Sequence, residues 1–397
     1  LTYRSYILKR NIEDVLIFPF VLLGRIIARI RPMKNEYRVW FFIPFYHTGG
    51  AEKVHAQVTK ACGGSDCIIY FTKRSHNEAF LPLFKESHCS IRDISAYTDN
   101  KFLYFLNLIY RGILSGYINR QQLKTTVFNG QCNFGYKISP WIRKDIDQVE
   151  LIHSLNSFSY IRIPFLPFIS RSVMISRKRI DDHKDLYKQL AIPARYADKI
   201  VYIPNAIDLP EEVAEKSSTP FRVLYVGRGT AEKRVHLVVQ AAQQMQRYHP
   251  EIQFEILGNV SEAIDAKQYP YIKFHGNQSD PHYINTVYAS AHVLMITSST
   301  EGFPMVVIEA MSQGCAILST PVGDIPYHIV NKQNGFLFNS ITDEELIVRE
   351  AEELILSLQK DPVLFKKISA NNIQYARLNF GIEAFNKAYQ KVLNNSL

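Results

Sequence analysis

From Tyr37 onward, short runs of apolar residues alternate with longer stretches in which apolar and polar positions recur at helical spacing. A strand buried on both faces gives an unbroken apolar run and a surface helix gives one apolar stripe, so this alternation predicts parallel strands joined by crossover helices. The first series of predicted strands is Val39–Pro44, Cys67–Phe71, Thr125–Asn129, Val149–His153, Val173–Ser176 and Lys199–Ile203, with helices such as Ala51–Cys62 and Phe102–Tyr117 between them. Between Pro204 and Pro220 the apolar period is lost and Pro, Ser and charge accumulate, which marks a boundary. A second series follows, with strands Phe221–Val226, Gln253–Leu257, Ile272–His275, Val293–Thr297 and Ala316–Ser319. Helices Glu232–Tyr248, Pro281–Ala289 and Met305–Gly314 separate these strands, and Thr342–Leu393 is helical throughout.

The pattern predicts an α/β protein of two Rossmann-like domains whose parallel sheets face across a cleft. A chain of 397 residues exceeds what one core usually supports. The expected divisions are an N-terminal domain at 37–205, a C-terminal domain at 206–379, and a final helix at 380–397 that can pack back on the N-terminal domain. Residues 1–36 stand apart. Lys9, Arg10, Arg25, Arg29 and Arg31 surround the apolar run Val15–Leu23, which Pro19 interrupts and which falls short of the roughly 20 apolar residues a bilayer span needs. A basic amphipathic anchor lying in the membrane interface fits this composition, and a helix packed on the protein's own surface fits it as well.

Hydrophobic residues at 47% and charged residues at 21% exclude disorder for the bulk of the chain. The net charge of +9 suits an anionic partner, whether nucleic acid, a membrane surface or a phosphorylated small molecule. Five cysteines, an odd number with no C-x-x-C pair, favour a reducing compartment over a disulfide framework or zinc knuckle.

The strongest local signal is Ser298 to Gly314, a strand end, a loop and a helix start in which seven residues separate Glu301 from Glu309. Pro304 suits the first turn of a helix, leaving the amides of Phe303, Met305 and Val306 free to receive a phosphate at the positive end of the helix dipole. Glu309, one turn further in, can accept hydrogen bonds from a ribose diol, and Glu301 in the loop can contact sugar hydroxyls. A helix cap and a solvated helix glutamate would explain the same spacing. The second signal is the run Val223 to Arg234, in which a strand ends at Gly227 and a basic loop follows. It places Arg228 and Lys233 at the carboxyl end of a sheet, where they can neutralise a diphosphate leaving group or simply be solvated. The third is His47-Thr-Gly49-Gly50, whose glycines permit close backbone approach to a ligand or merely a tight turn, and His153 ends a strand of the same domain. Asp145-Ile-Asp147 matches a metal-binding tripeptide but precedes a strand and is assigned to the surface. Asp181-Asp182-His183 is assigned to the chemistry of a helix start, not to a metal.

Together these segments resemble the GT-B glycosyltransferases, and more narrowly glycosyltransferase family 4, from about Tyr37 to the C-terminus. The resemblance implies that Gly49 and Gly50 lie near the donor phosphate, that Arg228 and Lys233 bind the diphosphate, and that Glu301 contacts the transferred sugar while Glu309 holds the ribose. It implies that Gly227, Gly302, Phe303, Pro304, Met305 and Val306 frame the donor site and that His153 contacts the donor sugar. Asn205 falls in a turn similar to the family's interdomain Asn-Gly-Ile-Asp, with Ala206 in place of glycine. Val322-Gly323-Asp324-Ile325-Pro326 resembles the family's Gly-Gly-Ile-Pro loop, from which Asp324 departs. The activity implied is retaining transfer from a UDP- or GDP-sugar to a glycan or lipid-linked acceptor in envelope polysaccharide or glycolipid synthesis. The family implies no metal and no cofactor, a front-face mechanism with Glu301, Arg228, Lys233 and His153 as catalytic groups, and no nucleic-acid partner. A cytoplasmic location, peripheral on the inner face of the plasma membrane, follows from the basic N-terminal segment. A sugar-nucleotide epimerase of the same fold, or a non-catalytic glycan- or membrane-binding module, is the alternative.

Overall fold

A computed structural model of the chain describes residues 2–47, 49–102, 104–153, 157–278 and 280–394. Thr48, the second residue of the His47–Gly50 motif, lies outside the described residues, as do both chain ends of the outermost predicted segments, Leu1 and residues 395–397. The chain divides into two compact units, one comprising Leu1–Pro204 with Phe385–Leu397 and the other Asn205–Ala384.

The N-terminal unit is built on a seven-stranded parallel sheet in the order β3-β2-β1-β4-β5-β6-β7. Its strands are β1 (Val39–Ile43), β2 (Cys67–Phe71), β3 (Ser90–Asp93), β4 (Thr126–Asn129), β5 (Asp147–Ile152), β6 (Arg171–Met174) and β7 (Ile200–Tyr202). The C-terminal unit has six parallel strands in the order β10-β9-β8-β11-β12-β13. These are β8 (Phe221–Val226), β9 (Ile252–Leu257), β10 (Lys273–Gly276), β11 (Val293–Ile296), β12 (Ala316–Ser319) and β13 (Gly335–Leu337). The central strands are buried from end to end, as Val39–Ile43 and Val293–Ile296 illustrate, which is why their sequences are continuous apolar runs. The expectation had no strand at Ser90–Asp93 or Gly335–Leu337. Both are short edge strands, and an edge strand covered on few sides needs little apolar sequence.

The N-terminal segment is one helix, α1 (Tyr3–Ile30), which continues through Pro19. No helix among the described residues is long and apolar enough to cross a membrane. α1 lies in parallel register against the helix Tyr104–Ile118 at unusually close range. A Cβ placed on Gly24 would stand 2.1 Å from the Ile109 carbonyl oxygen, one on Gly112 would stand 2.1 Å from that of Val21, and one on Gly116 would stand 2.9 Å from the Ala28 methyl. Gly24 and Ala28 thus face Gly112 and Gly116, both pairs spaced four apart, a pattern that lets helix backbones touch. Tyr117 donates to the Arg31 carbonyl at 2.8 Å and Arg120 to that of Ala28 at 2.8 Å, closing the C-terminal end of α1. Because this narrow small-residue face makes the closest contact, a row of large aliphatic side chains is left pointing away from the protein. Val15, Leu16 and Ile30 are each at least 70% exposed, and Leu8, Ile12, Leu22, Leu23 and Ile26 are also exposed.

The Gly112→Leu variant is expected to lose about 1–3 kcal/mol of stability, the scale of overpacking, and to admit protease near Arg31–Glu36. Denaturant midpoints together with mapped proteolytic fragments measure this. An unchanged midpoint with no new cleavage would show that the glycine contact does not hold α1.

Candidate functional site

In the C-terminal unit the strand order reverses direction between β8 and β11, so the loops leaving their carboxyl ends diverge and open a crevice. Those loops are Gly227–Arg234 and Thr297–Pro304, the two strongest segments of the sequence. The helix expected from Glu232 begins only at Val235. Before it, Ala231–Lys233 forms one 3-10 turn and Arg234 sits in the left-handed region at φ 48°. Arg234 is buried, and its guanidinium binds the other loop, with Nε donating to the Thr297 carbonyl at 2.7 Å and Nη2 to that of Ser298 at 3.3 Å. Thr297 Oγ1 reaches back to the carbonyls of Lys233 at 3.0 Å and Arg234 at 2.9 Å, and the Ser299 amide donates to the Glu232 carbonyl at 2.8 Å. Thr320 Oγ1, just after β12, supports the arrangement by donating to the Ser298 carbonyl at 2.6 Å.

The left-handed break brings two predicted residues together: Lys233 Nζ lies 2.6 Å from Glu301 Oε1, which also accepts from Ser298 Oγ at 2.6 Å. Arg228 is exposed at the same edge and makes no ion pair among the described residues, while its carbonyl accepts from Tyr225 at 2.8 Å. Glu232 is held by Thr230 Oγ1 at 2.7 Å, which lowers its carboxyl below the usual range. Gly227 is confined by its own unit, since a Cβ there would approach Tyr225 Oη at 2.9 Å. Gly302 is not: a Cβ there would meet nothing within 4 Å, so the protein's own packing does not demand glycine. Behind it Gly323, at φ 59°, is required, because a side chain would strike the Gly302 oxygen at 2.1 Å, and the Asp324 amide donates to that oxygen at 2.7 Å.

Pro304 is the cap of the helix Met305–Ser312 instead of its first residue, with an extended ψ of 134°. The leading helical amides are therefore those of Met305 and Val306. Phe303 turns inward, with its ring 4.2 Å from that of His328 and 5.3 Å from that of Phe380. Glu309 accepts from Tyr288 Oη at 2.7 Å through Oε2, and Oε1 has no partner among the described residues. Burial holds the Tyr288 hydroxyl well above its ordinary range, so it donates at any moderate pH. Tyr288, Arg234, Thr297 and Gly323 were not foreseen as site residues. Tyr288 lies 21 residues before Glu309 on a different helix, and no local spacing signals that meeting.

The N-terminal unit has its own switch point between β1 and β4. A cavity of about 290 Å³ opens there, lined by Phe45, Glu52, His55, Lys73, Gln131 and His153 among others. His153 follows β5, and its Nε2 lies 3.1 Å from Nε2 of His55 on α2 (Gly50–Cys62). One ring must donate and the other accept, which requires a neutral acceptor. Burial lowers His153 to about 4, and burial followed by the neighbouring His153 lowers His55 well below the ordinary value. Gly50 opens α2 with free space where a Cβ would stand, whereas a Cβ on Gly49 would lie 2.1 Å from Glu52 Oε2. The helix start expected to meet a phosphate at Gly49 is therefore covered by the protein's own carboxylate. Asn205 falls in the C-terminal unit as its first residue, with a buried Oδ1 that has no partner among the described residues.

Asp145 is exposed and pairs with Arg143 at 2.8 Å. Asp182 is not at a helix start: it lies inside Arg177–Gln189, which Ser176 caps, and it pairs with Lys178 at 2.5 Å and Arg179 at 2.9 Å. Among the described residues no cluster of His, Cys, Asp or Glu is placed to hold a metal.

Residues 209–376, most of the C-terminal unit, match the family model described as "Glycosyl transferases group 1". The C-terminal unit is thus similar to the group 1 glycosyl transferases. The chain is 27% identical over 172 residues to the UDP-N-acetylglucosamine–peptide N-acetylglucosaminyltransferase GtfA subunit of Streptococcus pneumoniae, a match covering 40% of this chain and 32% of that protein. It is 21% identical over 370 residues to an uncharacterized glycosyltransferase of Haemophilus influenzae, covering 89% of this chain and 99% of that one. Among solved structures, Anabaena Alr3699/HepE in complex with UDP superimposes with a TM-score of 0.69 at 17% identity, covering 90% of this chain and all (100%) of that one. The fold is GT-B.

The two histidines give the N-terminal unit a defined pH response. Their folded values lie below the unfolded value of about 6.5, so as pH falls through that value the unfolded chain takes protons that the folded chain refuses, and stability drops toward pH 4. Thermal midpoints at about pH 7.5 and pH 5 are expected to fall further for the native protein than for His55→Asn/His153→Asn. Equal slopes would contradict a neutral pair.

Proposed function

We propose that the protein is a retaining, metal-independent glycosyltransferase of family 4 that moves a sugar from a UDP- or GDP-sugar to a glycan or lipid-linked acceptor. The observation that carries this reading is the Lys233–Glu301 contact beside Gly302 and the leading amides of Met305–Ser312, with Glu309 one turn deeper. The amides of Met305 and Val306 and the cations Arg228 and Lys233 would receive the diphosphate, as helix N-termini and paired cations receive anions elsewhere. The free space at Gly302 admits close approach by a phosphate or sugar. Glu309, oriented by Tyr288 through one oxygen, keeps the other for the ribose diol.

In this reading the bond between the anomeric carbon and the phosphate oxygen breaks on the face where the acceptor oxygen attacks. The acceptor's hydroxyl proton passes to the departing phosphate oxygen. Arg228, Lys233 and the helix amides stabilise the charge that develops on the diphosphate. The contact with Lys233 aims Glu301 so that it can accept from a sugar hydroxyl. His153, neutral at pH 7, is a hydrogen-bond partner for another. The similarity of the C-terminal unit to enzymes that use UDP-sugars supports the donor class.

The exposed aliphatic face of α1 supports attachment to the surface of a membrane. Basic residues bracket it at Arg4 and Lys9 on one side and Arg29, Arg31 and Lys34 on the other. An acceptor for envelope polysaccharide or glycolipid synthesis, met at the inner face of the plasma membrane, is in keeping with that face.

Arg228→Ala and Lys233→Ala are each expected to lower turnover about tenfold to a hundredfold with the fold intact, the scale of one charge-stabilising group. Glu309→Ala is expected to weaken nucleoside-diphosphate binding in calorimetry. Unchanged turnover in both cation variants, or an epimerised donor when no acceptor is supplied, would sink the transferase assignment.

A further inference from the structure

The N-terminal unit carries a second cavity, of about 320 Å³, where α1 runs past the segment Ile161–Phe165. Its walls include Tyr6, Tyr160, Ile161, Pro164 and Phe165, with Lys9 at the edge. The outer wall is held firmly. Arg162, buried, binds the buried carboxylate of Glu150 on β5 through Nε at 3.0 Å and donates to Tyr187 at 2.8 Å, fixing the chain that follows it. On the other side Arg10 donates to the Pro164 carbonyl at 2.6 Å, tying α1 across the cavity.

The charge around this cavity is sorted. Both acids of α1 turn to the protein's own cations, Glu13 to Lys137 at 2.5 Å and Asp14 to Arg10 at 3.4 Å. Lys9 is exposed and has no ion pair among the described residues, so the net charge offered at the mouth is positive. An uncharged apolar ligand would leave that cation without a role, and a free inorganic anion would leave the aromatic walls unused.

Position adds to chemistry. Asn133 lines both this cavity and the one that holds His55, Lys73 and His153. Leu8, the first residue of the exposed aliphatic stripe of α1, is the chain neighbour of Lys9 in the turn that lines the cavity. The aromatic cavity therefore lies between the exposed face of α1, at Lys9, and the cavity at the carboxyl edge of the first sheet, with Asn133 common to both walls. The volume lies at the small end of ligand pockets, enough for a headgroup and the first part of one chain but not for two chains.

We propose that this groove binds the phosphate and the adjoining isoprene units of a polyprenyl-phosphate-linked acceptor, delivering its sugar end to the cavity at His153. The proposal rests on the transferase reading and deepens it by naming the acceptor class. Membrane attachment alone would use only the outward stripe; the groove selects one single-chain phosphate lipid from among many.

The test uses the full chain in uncharged detergent micelles with a benzophenone-tagged geranylgeranyl phosphate, labelled by light and mapped by peptide mass. Label is expected on Tyr3–Arg10 and Tyr160–Phe165, displaced by geranylgeranyl phosphate but not by geranylgeraniol, inorganic phosphate or dioleoyl phosphatidylglycerol. Lys9→Glu, which reverses the edge charge, and Ile161→Trp, which fills the groove, should each weaken displacement by at least about tenfold, the scale of one lost charge-assisted contact or blocked site. Calorimetric binding of UDP or GDP, whichever the native protein takes, is expected to be unchanged in both variants. Label confined to Val15–Ile30, equal displacement by phosphatidylglycerol or by geranylgeraniol, or variants that behave as the native protein would each overturn the groove assignment. If the native protein binds neither nucleotide, the transferase reading fails instead. Intact nucleotide binding with an unlabelled groove isolates the failure to this inference.

Discussion

The chemistry of the C-terminal unit depends on one arginine held in a backbone conformation that arginine disfavours. Left-handed geometry at a residue with a Cβ costs on the order of 1–3 kcal/mol and persists only where its surroundings over-determine it. Here the surroundings are the carbonyls of Thr297 and Ser298, which receive the Arg234 guanidinium, and the Thr297 hydroxyl, which returns to the backbone of Lys233 and Arg234. The exchange locks two loops of different strands together before any ligand arrives. It also turns Lys233 out of the helix it would otherwise begin, and so sets its ammonium against Glu301.

The two units solve the same topological problem with opposite electrostatics. Each offers a crevice where the strand order reverses, and in each the loops after the two central strands form the walls. In the C-terminal unit those walls carry a cation, an ion pair and helix amides, an environment that favours a highly charged ligand. In the N-terminal unit they carry two imidazoles kept neutral by burial and a helix start already covered by Glu52. Lys73 is the cation among the residues named around that cavity.

Much of this was legible in the chain. The central strands announce themselves because burial on both faces leaves no room for polar residues, and the loops at their carboxyl ends could be named from the reversal the fold implies. The edge strands Ser90–Asp93 and Gly335–Leu337 were illegible because little apolar surface is needed where one side is open. The spacing of Glu301 and Glu309 singled out the loop and helix after β11, but the partners that orient them did not follow from it: Lys233 stands 68 residues from Glu301, and Tyr288 stands on another helix. The break at Arg234 was hidden because its cause is tertiary. Pro19 suggested an interruption, yet α1 passes through it, since a proline on the outward side of a helix held by its opposite face disturbs only a local hydrogen bond.

The manner in which α1 is fastened separates address from architecture. Its closest grip on the body is a seam of backbone and small residues, Gly24 and Ala28 against Gly112 and Gly116, flanked by polar ties from Arg10, Glu13 and Arg25. The aliphatic residues on the far side stabilise nothing within the chain, so they are free to drift in identity, length and branching without unsettling the core. Selection can edit the chemistry of that outer row alone, and the seam beneath it would still hold the same helix in the same place.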